Sequence, residues 1–248
     1  MGNFSNRELI VRKNTYRLRI HDGDFFANRH LKKFIYTQIP LLIQSGMKVG
    51  DVGCGGQPFR TLIESYGGQY LGIDVVQNDK NTVDIVADIR SIPLPPESLD
   101  VIICTEVLEH VYEPIEALRE LYRILKPTGT ILLTTPFSYP IHEAPYDFCR
   151  LTPFFMEYWL PKLGFELPKS LQIGGNELEV IATVWGHIWR PDKHAGILLR
   201  LLFAAVRSAM NLSVLLTSRL FEPFLRRNYF LNMQCVLRKR SDNCEEPA

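Results

Sequence analysis

The chain has 248 residues, of which 46% are hydrophobic and 22% are charged. This composition is typical of a globular protein with one well-buried core, and it excludes a disordered or fibrous chain. The net charge of +1 combines segments of opposite sign: +6 over residues 1–48, −10 over 49–189, +8 over 190–240 and −3 over 241–248. The two basic segments favour an anionic surface or substrate near them.

The five cysteines are widely spaced and form no Cys-x-x-Cys pair: Cys54, Cys104, Cys149, Cys235 and Cys244. Their scatter is typical of a protein of the reducing cytosol, and it offers no ligand spacing for zinc. We therefore predict a cytoplasmic protein with no metal. The first fifteen residues are polar and charged, which predicts no secretory signal.

The middle of the chain alternates short apolar runs with helical patterns. Residues 48–52 predict a buried strand that enters a glycine turn at 53–56, after which Pro58 is expected to open a helix. Residues 70–74, 84–88, 99–104 and 130–134 predict four more strands, and the apolar spacing in residues 114–125 predicts a helix. This order is typical of a doubly wound, mainly parallel sheet, whose ligands bind beyond the carboxyl ends of the strands.

The later elements complete a predicted α/β fold, Rossmann-like and doubly wound, with a seven-stranded mainly parallel sheet. A helix over residues 152–163, a sixth strand over 165–173 and a seventh over 229–237 are expected. A mostly helical insertion separates strands six and seven. The predicted divisions are an N-terminal helical cap, a core, a basic amphipathic helical insertion, the final strand and an acidic tail: 1–45, 46–175, 176–228, 229–240 and 241–248.

Residues 197–220 are apolar enough to suggest a membrane span, but Arg200, Arg207, Asn211 and Arg219 interrupt them, which argues against spanning. Lys193, Arg200 and Arg207 recur every seven residues and share a helix face with Asn211. This pattern predicts a basic amphipathic helix or helix pair. Three roles stay open: a cover for the sheet, a homodimer face, or peripheral contact with an anionic surface such as the inner membrane.

The ends of the first three predicted strands bear groups that a nucleoside-containing cofactor needs. Gly53 and Gly55 allow the backbone to come close to a ligand. Asp74 ends the second strand, where a carboxylate accepts hydrogen bonds from both ribose hydroxyls. Asp88 ends the third strand and can accept from the amino group of an adenine. Each acidic residue alone is as well explained as a helix cap or a solvated strand end, but their order along the sheet favours a single bound nucleoside.

These residues fall in stretches that together resemble the methyltransferase type 11 branch of the class I S-adenosylmethionine-dependent family. The resemblance covers about residues 45–175, roughly half of the chain, and its most specific part is the run over residues 99–111. The stretches that bear it are Asp51-Val-Gly-Cys-Gly55, Gly72-Ile-Asp74, Ala87-Asp88-Ile89, Leu99-Asp-Val-Ile-Ile-Cys-Thr-Glu-Val-Leu-Glu-His-Val111 and Arg123-Ile-Leu-Lys-Pro-Thr-Gly129.

The resemblance implies methyl transfer from S-adenosylmethionine. The cofactor-binding residues that it implies follow the strand ends: Asp51, Gly53 and Gly55 at the methionine moiety, Asp74 at the ribose, Asp88 and the Ile89 backbone at the adenine, and Thr105 or Glu106 closing the pocket. The chain departs from the family pattern at Gln57 and Thr128, where glycines are usual.

The segment after the fifth strand supplies the candidates for catalysis. Its pattern over residues 142–152, His-Glu-x-Pro-Tyr-Asp-x-x-Arg-x-Thr, resembles a subgroup linked to glycan or lipid modification. A hydroxyl acceptor must lose a proton, and His142 is the natural general base, oriented by Glu143 or Asp147. A capping or packing role for His142 is an equally weighted alternative. For Glu109 and His110, capping or packing is favoured over catalysis.

The sequence therefore predicts methyl transfer to a hydroxyl of a glycan, a lipid-linked sugar or a small metabolite. A nicotinamide-dependent oxidoreductase on a similar sheet is disfavoured because the residues after the fourth strand fit it poorly. A cofactor-binding or membrane-associated adaptor without catalysis is the other alternative. Nucleic acid is not expected as a partner, since the basic stripe lacks the interleaved aromatic side chains that stack on bases.

Overall fold

The computed structural model describes residues 18–166, 171–192, 194–226 and 228–240. The acidic tail, Lys193 and all of the basic residues before Arg19 lie outside them. The helices are α1 (Phe25–Leu42), α2 (Arg60–Ser65), α3 (Pro114–Ile124), α4 (Pro153–Lys162), α5 (Glu177–Ile188) and α6 (Ile197–Phe221), with 3-10 turns at Leu108–His110 and Glu222–Phe224. The strands are β1 (Lys48–Val52), β2 (Gln69–Asp74), β3 (Ile85–Val86), β4 (Leu99–Thr105), β5 (Leu125–Pro136), β6 (Phe165–Glu166), β7 (Gln172–Gly174) and β8 (Asn232–Lys239).

The described strands form one sheet in the order β3-β2-β1-β4-β5-β8-β6. The pairs from β3 through β5 are all parallel, whereas β8 is antiparallel to β5. The doubly wound, mainly parallel α/β fold predicted from the sequence is confirmed. In such a sheet the carboxyl ends of β1 to β5 meet at one edge, where ligands bind.

The predicted sixth strand differs from the observed one. Instead of one strand over residues 165–173, β6 pairs with the end of β8 near Lys239, and β7 pairs separately with its beginning, Asn232 to Gln234. Both short strands therefore line the same side of β8. Apolar alternation could not reveal this division, because pairing of the edge is set by contacts with a strand 58 or more residues away in sequence.

The sheet is covered on both faces because apolar side chains alternate along its buried strands. Along β4, Ile102 and Cys104 enter one apolar core, while Val101 and Ile103 enter the other. The first core includes Leu118 and Leu121 of α3, as expected from the spacing of apolar residues in that helix. These two cores hold the carboxyl edge of the sheet rigid, since each buried leucine or isoleucine contributes about 1.5–3 kcal/mol.

Helix boundaries follow local capping. Thr152 precedes α4, and its side-chain oxygen accepts a hydrogen bond from the Phe155 N–H at 3.1 Å, so this predicted start is confirmed. The prediction that Pro58 opens a helix is wrong: α2 begins at Arg60, after Phe59. The glycine loop therefore extends two residues further than expected before the chain turns into the helix.

Helix α6 packs against the protein through its polar side and exposes its apolar side. Asn211 is 2% exposed and donates a hydrogen bond to the Ile20 carbonyl at 2.7 Å, while Arg207 donates to the His21 carbonyl at 3.0 Å. The outer surface consists largely of leucines, among them Leu198 (80% exposed) and Leu216 (64% exposed). Arg207 and Asn211 thus do not form the solvated face that basic stripes usually form. The helix with its following turn, Ile197–Phe224, is long and apolar enough to cross a membrane.

Candidate functional site

The glycine loop after β1 brings backbone close to the carboxyl edge of the sheet. Gly53 has φ +76, and its N–H donates to the Ile73 carbonyl at 2.8 Å. A Cβ there would lie 2.3 Å from the Cγ2 of Val107, so only glycine fits between the loop and the segment after β4. Gly55 has φ +46, and the position of a Cβ on it faces open space. The loop therefore presents bare backbone at Gly55, where a ligand can approach closely.

Asp74 joins this loop to the end of β2. Its Oδ2 accepts a hydrogen bond from the Gly55 N–H at 2.8 Å, and its Oδ1 accepts from the Val76 N–H at 3.2 Å. The Asp74 carbonyl also accepts from the Ala87 N–H at 2.8 Å, which fixes the segment leading to Asp88. A carboxylate has about four lone-pair sites, so Asp74 retains capacity for two ribose hydroxyls.

Asp51 is a buried carboxyl within β1. Its side chain is 1% exposed, and its Oδ2 accepts a hydrogen bond from the Tyr70 hydroxyl at 2.7 Å. Burial raises the pKa of Asp51 to about 7; the Tyr70 hydrogen bond opposes this rise, and the charge of Asp74 adds to it. Asp51 therefore loses its proton near neutral pH. A cationic ligand group beside it would favour the ionised carboxylate.

Asp88 is tied to Arg90. The backbone N–H and the guanidinium Nε of Arg90 donate to Asp88 Oδ1 at 2.9 and 3.0 Å, and Nη2 donates to Oδ2 at 2.7 Å. The guanidinium also lies 4.2 Å from the centre of the Tyr112 ring. Much of the Asp88 carboxylate is thus engaged within the chain, a feature that the sequence pattern does not reveal. Ile89 is 7% exposed and belongs to the core, so only its backbone can serve a ligand.

Gln57 and Thr128, which depart from the family pattern, keep the backbone conformation that glycine would adopt at these positions. Gln57 has φ +58 and Thr128 has φ +63, the left-handed conformation that glycine adopts at least cost. The Gln57 side chain donates to the Thr82 carbonyl and accepts from Arg60, which holds the loop in place. The loop conformation therefore does not depend on the usual glycine.

Thr105 and Glu106 end β4 beside the loop. Thr105 is 5% exposed. Glu106 has φ +53, its N–H donates to the Thr134 carbonyl at 3.0 Å, and its Oε1 accepts from the Thr134 hydroxyl at 2.9 Å. Glu106 is therefore held against β5.

His142 lies in a hydrogen-bonded loop after β5. Its Nδ1 is 3.2 Å from Asp147 Oδ2, and its backbone N–H donates to the same oxygen at 3.0 Å. Arg150 forms a two-point ion pair with Asp147. Burial would raise the pKa of Asp147, but the hydrogen bonds from Arg150 and His142 outweigh it and lower the pKa to about 2. Of the two predicted orienting residues, Asp147 contacts His142, whereas Glu143 Oε2 lies 3.6 Å from His110 Nε2.

The sequence interpretation missed residues from distant parts of the chain. Asp24, just before α1, accepts from the Tyr139 hydroxyl at 2.6 Å and lies 2.7 Å from His187 Nε2 of α5. The Tyr139 ring packs edge-on against the His142 ring, with centroids 5.1 Å apart. No local signal in the sequence links these residues. The adjacent Glu109 and His110 did offer a signal, since they directly follow a strand that ends at the ligand edge.

Comparison with known proteins agrees with this geometry. A family described as "Methyltransferase domain" matches residues 50–133, the stretch from β1 to β5. The chain thus contains a methyltransferase domain within residues 50–133. The domain is of the type that uses S-adenosylmethionine as methyl donor. The open backbone at Gly55, with the Asp74 carboxylate hydrogen-bonded to it, fits the methionine and ribose parts of that cofactor.

Relatives and solved structures define the extent of the similarity. The ubiquinone biosynthesis O-methyltransferases of Pseudomonas putida (strain W619) and Pseudomonas fluorescens (strain SBW25) are 35% and 33% identical over 104 residues, which cover 37% of this chain and 45% of each relative. The chain thus spans under half the length of these relatives. A SAM dependent methyltransferase from Archaeoglobus fulgidus superimposes with a TM-score of 0.58 at 15% identity, over 94% of this chain and 100% of that chain. At this identity, the superposition establishes the fold alone.

Proposed function

We propose that this protein transfers the methyl group of S-adenosylmethionine to a hydroxyl of a small molecule in the cytoplasm. The observation that supports it best is the hydrogen bond from Gly55 to Asp74, because it brings the glycine loop and the predicted ribose carboxylate to one place. Asp51 and the loop glycines bind the methionine moiety, Asp88 and the Ile89 backbone the adenine, and Thr105 or Glu106 closes the pocket. The sulfonium already activates the methyl group, so alignment and exclusion of water supply much of the rate.

His142 is the residue proposed to assist loss of the acceptor proton. The Asp147 carboxylate holds the ring through Nδ1, which leaves Nε2, 3.9 Å from Glu109 Oε1, to accept the proton. His142→Ala should lower turnover at least 100-fold and leave the cofactor Kd unchanged within about twofold, since general-base catalysis contributes about 10²–10⁴-fold. His194→Ala, an exposed histidine outside the site, is the matched control. Unchanged turnover in His142→Ala would remove this residue from the mechanism.

We further propose that the acceptor is lipophilic and reaches the site from a membrane surface. The relatives are named for ubiquinone biosynthesis and for transfer to oxygen, which supports a hydroxyl acceptor of that kind. The exposed leucines of α6 supply the matching surface, because a helix whose polar side is buried against its own protein can place its apolar side in the lipid interface. Contact with lipid is thus expected to be mainly apolar, in place of the anionic contact predicted from the basic stripe.

Vesicle binding tests this membrane contact. Replacing Leu198, Leu202 and Leu212 by serine should weaken binding to neutral phosphatidylcholine vesicles at least 100-fold, because each exposed leucine buried in lipid contributes about 1.5 kcal/mol or more. Leu41→Ser is the matched control, since Leu41 is 72% exposed on α1. Equal binding by the triple variant and the control would refute the proposal. A concentration-dependent dimer that the triple variant abolishes would instead assign this surface to a second copy of the chain.

Methyl transfer from labelled cofactor to a hydroxylated prenyl-quinone precursor, compared with a soluble catechol and a glycan, tests the acceptor class. Preference for the glycan would favour the acceptor class predicted from residues 142–152.

A Tyr-x-x-x-Lys spacing, which would be a feature of a nicotinamide-dependent oxidoreductase, occurs at Tyr158 and Lys162. It does not support that alternative, because the Lys162 ammonium lies 3.7 Å from the Tyr158 ring centre and Tyr158 is 57% exposed on α4. Calorimetry with NAD in place of S-adenosylmethionine separates these two classes.

A further inference from the structure

Three metal-ligating side chains converge beside the proposed methyl-transfer site. Glu109 and His110 end the 3-10 turn after β4, and His142 comes from the loop after β5. Glu109 Oε1 lies 3.5 Å from His110 Nε2 and 3.9 Å from His142 Nε2. One ligand atom from each residue lies within 4.8 Å of the other two. Ligands about 2.1 Å from a tetrahedral zinc ion are about 3.4 Å apart, so the two Glu109 contacts need to shorten by about 0.5 Å or less on binding.

Both imidazole rings are oriented by acceptors on their far sides. His110 Nδ1 is 2.8 Å from the Tyr146 carbonyl, and His142 Nδ1 is 3.2 Å from both the Pro140 carbonyl and Asp147 Oδ2. Carbonyl and carboxylate oxygens only accept, so each Nδ1 bears a hydrogen. In the neutral rings, each Nε2 then directs a lone pair toward Glu109. Metal-binding histidines characteristically donate their second ring N–H to such an outer acceptor.

The carboxylate at the centre of the cluster is buried. Glu109 is 1% exposed, and its carbonyl accepts from the Phe148 N–H at 2.8 Å, which fastens the two segments together. Glu109 Oε1 and the two imidazole Nε2 atoms face one another, so a cation between them, whether a proton or a metal ion, is favoured. Glu143 Oε2 lies 3.6 Å from His110 Nε2 but is not among the three proposed ligands.

We propose that Glu109, His110 and His142 bind a divalent transition-metal ion. Two imidazoles and one carboxylate suit zinc, manganese or iron better than magnesium or calcium, and three protein ligands leave a position open. Resting on the proposed function, we assign that position to the acceptor hydroxyl, whose pKa the cation lowers. The hydroxyl proton passes to solvent. The acceptor oxygen then forms a bond to the methyl carbon while the S–CH₃ bond breaks and its electron pair stays on sulfur. In this proposal His142 assists loss of the acceptor proton as a ligand of the cation, rather than by accepting the proton itself.

Titration of the full chain, stripped of metal by a chelator, with Zn²⁺ alone tests the site without reference to activity. We expect one bound ion per chain, and at least tenfold weaker binding in His110→Ala and in His142→Ala. His194→Ala is the control and should bind as the unchanged chain does. Circular dichroism of each variant confirms folding, and the visible spectrum of bound Co²⁺ reports directly whether imidazole ligands are lost.

Absence of stoichiometric zinc binding, or an equal loss in His194→Ala, would overturn the metal site. Zinc binding does not require methyl transfer, so its result stands whether or not S-adenosylmethionine binds. If zinc binds as expected but removing it leaves methyl transfer unchanged, the assignment of the open position to the acceptor hydroxyl is refuted. Loss of methyl transfer on chelation, with recovery on addition of Zn²⁺, would support that assignment.

Discussion

The buried Asp51 makes cofactor affinity depend on pH in a way that can be calculated. With a pKa of about 7, the carboxyl is ionised in about 3% of molecules at pH 5.5 and in about half of them at pH 7. We propose that the ionised form pairs with the methionine ammonium of S-adenosylmethionine. If only that form binds, the apparent Kd falls about 15-fold between these two pH values, because apparent affinity scales with the competent fraction. The range stops at pH 7 because α-amino groups lose their proton near pH 7.7–8.0.

The same carboxyl affects folding with the opposite dependence. Its pKa in the folded chain lies above the unfolded value of about 3.9, so the folded state binds the proton more tightly. The free energy of unfolding therefore falls as pH rises from about 4 to about 7 and levels off above that. Three pKa units correspond to about 4 kcal/mol, an upper limit for this effect. Raising the pH should thus strengthen cofactor binding while weakening the fold.

Calorimetry of cofactor binding and urea unfolding, both at pH 5.5 and 7.0, measure the two effects. Asp51→Asn should bind the cofactor weakly with no dependence on the ionisation of this residue, and should be more stable than the unchanged chain at pH 7. Asp100→Asn is the matched control: the Asp100 carboxylate pairs with Lys126 at 2.7 Å near the start of β4, on the far edge of the sheet. A 15-fold change that persists in Asp51→Asn would show that another group is responsible and would refute this reasoning.

Three further substitutions have directions set by the structure. Gly53→Ala should destabilise the chain by about 2 kcal/mol or more in urea unfolding, since its Cβ would lie 2.3 Å from Val107 Cγ2 at φ +76; a neutral result would show that the loop can move. Thr128→Gly should stabilise by about 1 kcal/mol, because an exposed β-branched residue at φ +63 is strained, and a loss of stability would contradict this. Asp74→Ala should weaken S-adenosylmethionine binding at least tenfold in calorimetry, with the fold retained by circular dichroism; unchanged affinity would remove Asp74 from the cofactor site.

The sheet was predictable because its pattern is local. Each parallel strand is a short apolar run bounded by polar or glycine residues, and β4 shows this clearly, with Leu99 to Thr105 preceding Glu106. The order of strand ends then follows from the rules for parallel sheets, which placed Gly55 and Asp74 at one edge. The hydrogen bond between them agrees with that placement.

The contacts of the polar side chains were not predictable in the same way. Asp88 is predicted to accept from an adenine, and the sequence does not reveal that Arg90, two residues later, also donates to both of its oxygens. Glu109 is predicted to cap or pack. The sequence does not reveal that its carboxylate lies near the Nε2 atoms of two histidines, one of them in a loop more than 30 residues later. Distances of this kind are set by how two loops fold over one edge, which apolar periodicity does not encode.

Helix α5 connects the proposed membrane surface to the proposed site. His187 lies within this helix, 2.7 Å from Asp24 Oδ1, and Asp24 in turn binds the hydroxyl of Tyr139, whose ring touches His142. On the exposed side of the same helix, which packs beside α6, Ile181 is 63% exposed. Asp24 also lies 3.9 Å from Arg190, and its contacts with Tyr139 and His187 hold the loop after β5 against α5.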